Sequence, residues 1–164
     1  MQIGLISDTH GFLDPKVFEY FENCDQIWHA GDIGKLSLAD ELEDFKPFKA
    51  VYGNIDGQDI RQVYPLDQKF EVEGLRIWMT HIGGSPPRYN KRIRETLMDE
   101  KYDLFICGHS HILKIVTDPK NKLTYLNPGA AGRQGFHKIK TLIRFNLEEK
   151  KLTQLQVIEM GKRG

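Results

Sequence analysis

The chain has 164 residues, enough for one well-buried core and short for two, so a single domain over residues 1–160 with a flexible tail at 161–164 is expected. Its 23 lysines and arginines balance 23 aspartates and glutamates, which leaves no global field to draw in nucleic acid or an acidic membrane; any anion must be held by a local device. Cys24 and Cys107 show neither a C-x-x-C spacing nor a disulfide framework, Met1–Ile6 lacks the parts of a signal peptide, and no apolar run could span a bilayer, so a reducing cytoplasm is expected.

Gln2–Ser7 is a nearly continuous apolar run that reads as a buried strand, and it ends in the polar turn Asp8-Thr9-His10-Gly11. Asp14-Pro15 then caps and starts a predicted helix bearing Val17, Phe18 and Phe21 at helical spacing. The unit repeats: Gln26–Trp28 runs into His29-Ala30-Gly31-Asp32, followed by a helix with Leu38, Ala39, Leu42 and Phe45 on one face. A third run, Phe48–Tyr52, leads into Gly53-Asn54-Ile55-Asp56. Strands alternating with helices argue for a largely parallel sheet covered on both faces, with polar residues gathering at the carboxyl ends of the strands.

After Pro65 the pattern changes. Gln68–Val72, a Glu73-Gly74 turn and Leu75–Thr80 read as a β-hairpin whose second strand delivers His81. Ser85-Pro86-Pro87 opens a predicted helix to about Lys101, with Tyr89, Ile93 and Leu97 inward and a basic outer face of Arg88, Lys91, Arg92 and Arg94. Strand Asp103–Cys107 runs into Gly108-His109-Ser110-His111, and Ile115–Thr117, Leu123–Leu126, Ile139–Asn146 and Leu152–Glu159 read as further strands of a second, mainly antiparallel sheet. The expected fold is α/β, a four-layer α/β/β/α sandwich of two mixed β-sheets flanked by helices.

The strand ends collect seven oxygen and nitrogen donors: Asp8, His10, Asp32, Asn54, His81, His109 and His111. Singly each is ordinary, since Gly-Asp and Gly-Asn are common turn dipeptides and His81 could be a core histidine; their coincidence at successive strand ends is not. Imidazoles mixed with carboxylates suit borderline divalent ions such as manganese, iron or zinc rather than magnesium or calcium. Seven donors are too many for one closed site but suit two ions sharing a ligand, with Asp32 the candidate bridge and Gly31 expected to let the backbone approach the ions. A neutral Asn54 keeps the balance of two divalent ions and two carboxylates at roughly +2, a field that attracts phosphate.

In this order, Asp8-x-His10, Gly31-Asp32, Gly53-Asn54, His81 and Gly108-His109-x-His111 resemble the signature of the calcineurin-like metallophosphoesterase superfamily. Ser7-Asp8-Thr9-His10, His29-Ala30-Gly31-Asp32 and Asn127-Pro128-Gly129 resemble its small bacterial and archaeal phosphodiesterase branch; the chain is also similar to the small scaffold subunit of retromer. The resemblance implies that one metal takes Asp8, His10 and His111, the other takes Asn54, His81 and His109, Asp32 bridges, and a metal-bridging hydroxide attacks phosphorus. Manganese is the first expectation for both ions, with iron, zinc or nickel as alternatives. His29 and Asn127 are expected to hydrogen-bond behind the ligands, although the Asn127 segment also reads as a plain turn; Arg133, His137 and Arg88 are candidates to touch substrate.

One position departs from the family pattern. Many members carry histidine after the Gly-Asn pair, where it is thought to help protonate the leaving oxygen; here it is Ile55, so Asp56, another group or water must act, or the leaving group must depart easily. Activated diesters are therefore expected to be better substrates than alkyl phosphomonoesters. The function implied is a two-metal-dependent phosphoesterase, a phosphodiesterase first. A phosphomonoesterase or nucleotide pyrophosphatase is one alternative, and a metal-binding protein-interaction scaffold without catalysis is another. The partner expected is a small-molecule phosphate ester, not a membrane or nucleic acid, with a homo-oligomer left open.

Overall fold

The computed structural model describes residues 1–164. The first part of the chain forms β1 (Gln2–Ile6), α1 (Lys16–Tyr20), β2 (Gln26–His29), α2 (Leu36–Phe45), β3 (Phe48–Ala50) and α3 (Gln58–Arg61). The hairpin β4 (Asp67–Val72) and β5 (Leu75–Thr80) follows, then the short strands β6 (Gly84–Ser85) and β7 (Arg88–Tyr89), α4 (Lys91–Asp99) and β8 (Leu104–Ile106). Four strands finish the chain: β9 (Leu113–Asp118), β10 (Leu123–Pro128), β11 (Ile139–Glu148) and β12 (Lys151–Lys162).

Two five-stranded mixed sheets result, ordered β12-β11-β1-β2-β3 and β4-β5-β8-β10-β9. Side chains alternate between faces along a strand, and the alternation builds three apolar layers. Ile3, Leu5, Trp28 and Ile143 of the first sheet meet Ile77, Met79, Ile106 and Leu126 of the second in the core between them. Ile6, Ile27 and Leu142 face the other way, onto Val17, Phe21, Leu38, Leu42 and Ile60 from α1 to α3. Trp78, Phe105 and Tyr125 face outward from the second sheet onto Ile93 and Leu97 of α4. The result is the expected α/β/β/α order.

Several details differ from the sequence expectations. Ser85-Pro86-Pro87 does not open a helix: Gly84 and Ser85 pair with Tyr89 and Arg88 in a small hairpin, and α4 begins after Asn90, whose side chain accepts from the Ile93 N–H. The basic face is accordingly broken up. Arg88 sits on β7, Arg92 pairs with Asp67 at 2.8 Å and Lys91 faces Glu95 one turn on. The second sheet is not mainly antiparallel, because β8 lies parallel to both β5 and β10. β11 and β12 join the first sheet instead, with β11 antiparallel to β1; β11 buries residues on both faces, as a strand inside a covered sheet must. Gly161 and Lys162, expected in a loose tail, continue β12.

Candidate metal centre

The seven donors expected from the sequence converge at one edge of the sandwich. β1 and β2 are parallel neighbours, and the loops that leave them stay paired: the Asp8 N–H donates to Gly31 O at 3.0 Å, and the His10 N–H to Asp32 O at 3.0 Å. β5 and β8, also parallel, place His81 beside the Gly108–His111 turn, with Gly108 N–H donating to His81 O at 3.1 Å. Across the sheets, the His109 N–H donates to Asp8 Oδ2 at 3.1 Å, and His81 Nδ1 lies 2.7 Å from Ala30 O.

Two triads form, Asp8 with His10 and His111, and Asp32 with His81 and His109; within each, the ligand atoms lie within 4.8 Å of one another. Asp32 Oδ2 lies 3.4 Å from His10 Nε2 and 3.1 Å from His81 Nε2, so it reaches both groups. Asp8 Oδ1 lies 3.1 Å from His111 Nε2. Asn54 Oδ1 lies 3.0 Å from His109 Nδ1, which adds the neutral oxygen to the second triad.

Several polar atoms in this cluster are left unused. Asp8 Oδ1, His10 Nε2 and His81 Nε2 are buried without a hydrogen-bond partner, although buried polar atoms are nearly always satisfied. His81 must donate through Nδ1–H to the Ala30 carbonyl, which leaves the Nε2 lone pair directed at the carboxylates, the tautomer a cation requires. Asp8 spends its other oxygen on Ser7 Oγ–H at 2.7 Å and the His109 N–H, and Asp32 spends its other oxygen on the Ile55 N–H at 3.0 Å. The remaining oxygens and nitrogens suit divalent cations of borderline character.

The backbone is strained at the same place. Asp8, His10, Asp32, His109 and His111 all have positive φ, between 47° and 70°, a conformation that costs on the order of 1–3 kcal/mol at a non-glycine residue. Gly31 has φ of 100°, and a Cβ there would come within 2.6 Å of the His81 ring. The absence of a side chain there makes room for His81. A Cβ at Gly108 would overlap Ser7 Oγ and Asp8.

Charges within the cluster are strongly coupled. Burial opposes ionisation of Asp8, but hydrogen bonding from His10 and His111 and the nearby His81 outweigh it and hold the carboxyl well below its usual range. Burial likewise opposes ionisation of Asp32, and His10 and His81 overcome it in the same direction. The Asp32 carboxylate, and then that of Asp8, raise His10 from 6.5 to about 9. His81 is raised by Asp32 and Asp8 against its own burial, whereas burial lowers His109. Without cations, the two carboxylates favour a proton on His10 and push His81 in the same direction.

His29 is fully buried and donates or accepts through both nitrogens: Nδ1 takes the Gly31 N–H at 3.1 Å, and Nε2 lies 2.9 Å from Thr9 Oγ1, which donates on to Ile33 O. Burial pushes it down to about 3, so it is a neutral brace between the loops that carry Asp8, His10 and Asp32. Asn127 braces the other sheet, donating to Gly108 O and Ser110 Oγ and accepting from the Gly129 N–H. His137 donates to Gly132 O at 2.8 Å, and its ring packs edge-on to His111 at 5.2 Å.

The remaining candidates divide. Arg133 lies over the Phe12 ring at 3.8 Å. Arg88 lines a cavity of about 350 Å³ that shares His109 with them. Asp56, considered as a proton donor, is buried and accepts N–H groups from Ile33, Gly34 and Gly53 at 2.8–3.1 Å. It is committed as an acceptor and fixes the Asp32 and Asn54 turns. Ser7, Thr9 and Lys114 were not anticipated. The first two adjoin Asp8 in sequence; Lys114 follows His111 by three residues and pairs opposite Asn127 in the β9–β10 register.

Residues 1–150 match the family model of the calcineurin-like phosphoesterase superfamily domain. A probable metallophosphoesterase of Methanocaldococcus jannaschii is 32% identical, over 97% of this chain and 82% of that protein. Among solved structures, an archaeal phosphodiesterase superposes with a TM-score of 0.78 at 25% identity, covering 98% of this chain and 100% of the other. Vps29 of Chaetomium thermophilum gives 0.77 at 17% identity with both chains fully covered, a likeness of fold.

Proposed function

Since the chain belongs to the calcineurin-like phosphoesterase superfamily, whose members use divalent metals, we propose that it is a two-metal phosphodiesterase acting on small phosphate esters. The observation that carries the two-metal reading is the pair of triads with Asp32 between them and buried lone pairs left open on Asp8, His10 and His81. Asp8, His10 and His111 would hold one ion, Asn54, His81 and His109 the other, and Asp32 would bridge. Manganese is the proposed occupant, iron, zinc or nickel the alternatives. Two such ions activate water and neutralise phosphoryl charge.

The protein's own part is to hold this set rigid. His29 and Thr9 fix one pair of loops, Asn127 fixes the His109–His111 turn, and Asp56 fixes the Asn54 turn. No side chain beside Asn54 is placed to protonate a leaving oxygen: Ile55 is 46% exposed and apolar, and Asp56 only accepts. This favours diesters with good leaving groups over alkyl monoesters. No helix is long and apolar enough to cross a membrane, and a cytoplasmic location is proposed on the two buried, unpaired thiols.

The test is hydrolysis of a nitrophenyl phosphodiester and its monoester by protein stripped with chelator and reloaded with manganese, beside Asn54→Ala and Ile55→His. Activity that returns with manganese, favours the diester and falls in Asn54→Ala is expected, with Ile55→His shifting the preference toward the monoester. Two ions bound with no hydrolysis of either ester would favour a protein-interaction scaffold instead.

A further inference from the structure

The cavity beside His109 has a chemistry of its own. Two cations face it from separate elements, Arg88 from β7 and Lys114 from β9, and two hydroxyls join them, Ser85 and Ser110; its walls include no carboxylate. The lysine and arginine ion pairs of the chain are Lys69–Glu100, Lys91–Glu95, Arg92–Asp67 and Lys140–Asp14, so neither Arg88 nor Lys114 is neutralised within the protein. Lys114 Nζ donates to Ser85 Oγ at 2.9 Å, which leaves the Ser85 proton free to donate onward. Ser110 Oγ accepts from Asn127 Nδ2 at 3.1 Å and from the Ile112 N–H at 3.2 Å, and its proton is likewise free. Four donor groups, two of them charged, converge on a space with no anionic acceptor.

A different cavity, of about 270 Å³, lies against Asn54 and His81 and is walled in part by Tyr52, Leu66 and Ile82. The donor set thus adjoins a cationic pocket through His109 and, through Asn54 and His81, a partly apolar one whose single cation, Arg92, is paired with Asp67. Resting on the phosphodiesterase reading, we infer that the substrate is a diester with a second anionic group, a phosphate, on one ester arm, seated by Arg88, Lys114, Ser85 and Ser110. Its other arm is apolar or aromatic and lies toward Tyr52 and Leu66. Fixing a remote anion in this way orients the scissile phosphate, and charged donors recognise phosphate most strongly.

The experiment compares thymidine 5′-(4-nitrophenyl phosphate) with the same ester phosphorylated at the 3′ oxygen. Manganese-loaded protein is expected to favour the phosphorylated ester by about tenfold in kcat/KM, the size of one charge-assisted contact at a partly exposed site. Arg88→Met and Lys114→Met should each bring that ratio toward one, with Lys114→Arg restoring part of it. A ratio near one in the wild type, or a ratio the substitutions leave intact, overturns the inference. Calorimetric binding of thymidine 3′,5′-bisphosphate to metal-free protein supplies a readout independent of turnover, and the same substitutions should weaken it about tenfold. If neither ester is hydrolysed, the phosphodiesterase reading fails. Binding unchanged by both substitutions removes the subsite even then. Because Lys114 also donates to Pro86 O at 3.4 Å and so helps hold the β6–β7 hairpin, Arg88→Met is the arm that separates anion binding from a loosened hairpin.

Discussion

The two sheets bring different chemistry to the same edge. From the first come both carboxylates, Asp8 and Asp32, together with Asn54 and His10; from the second come His81, His109 and His111. Neither sheet holds a complete triad. The site exists only where the sheets are docked, and hydrogen bonds cross between them there, from His109 N–H to Asp8, from His81 to Ala30 O and between His109 and Asn54. The apolar layer between the sheets therefore sets donor geometry, whereas the layer beneath α1 to α3 stabilises one sheet alone. Metal binding and sheet docking should behave as one linked equilibrium.

The largest effect should come from Asp32, whose Oδ2 lies 3.4 Å from His10 of the first sheet and 3.1 Å from His81 of the second. Asp32→Asn keeps the shape and an acceptor for the Ile55 N–H but removes the charge between His10 and His81. Hydrolysis is expected to fall by about a thousandfold or more, as loss of charge stabilisation at the phosphoryl group would require. Metal analysis should show fewer than two ions retained. Full occupancy with near-normal turnover would deny Asp32 its bridging place.

A paired substitution separates the two apolar layers. Leu126 lies between the sheets and Leu42 lies under the first sheet, both fully buried. Each change to alanine should cost about 2–5 kcal/mol, or roughly 5–15 °C in melting temperature for a chain of this length. Only Leu126→Ala should also weaken manganese binding, measured by titration at a temperature where both variants remain folded. Equal loss of affinity in both would mean that the donor set depends on overall stability rather than on docking of the sheets.

The sequence exposes some of this architecture and conceals the rest for physical reasons. Strand ends and alternation are local properties, so Ile77-Trp78-Met79 already implies a strand with apolar partners on both faces, and polar donors after such runs mark the edge. Sheet membership is not local. β11 could pair on either sheet by pattern, and its place beside β1 is settled by packing over the length of the chain. The proline-led start expected for α4 failed because Gly84–Tyr89 satisfies its backbone in a hairpin, with the helix cap at Asn90. The positive φ angles of Asp8, His10, Asp32, His109 and His111 are not fixed by residue type alone, since aspartate and histidine are enriched in that region but most copies of either lie outside it.

The subtlest expected effect is in pH, and it comes from the coupling of the two carboxylates to His10 of their own sheet and His81 of the other. His10 is raised to about 9 in the folded, metal-free protein against 6.5 unfolded, and His81 is raised as well. A histidine with a raised folded pKa contributes stability that is complete below pH 6.5 and is lost as pH climbs through the folded value. His29, His109 and His137 are lowered by burial, so their contributions change below pH 6.5, while the depressed Asp8 and Asp32 act only in acid. Between about pH 6.5 and 9 the metal-free protein should therefore weaken through His10, with the raised His81 acting in the same direction. With manganese bound, both imidazoles are neutral ligands and that loss is absent, while affinity itself improves as fewer protons must be displaced. The difference in melting temperature between loaded and stripped protein should widen across this window, by at least the 2–4 °C that about 1 kcal/mol produces at this size. A difference that stays constant or narrows would show that the protons of the metal-free centre reside elsewhere.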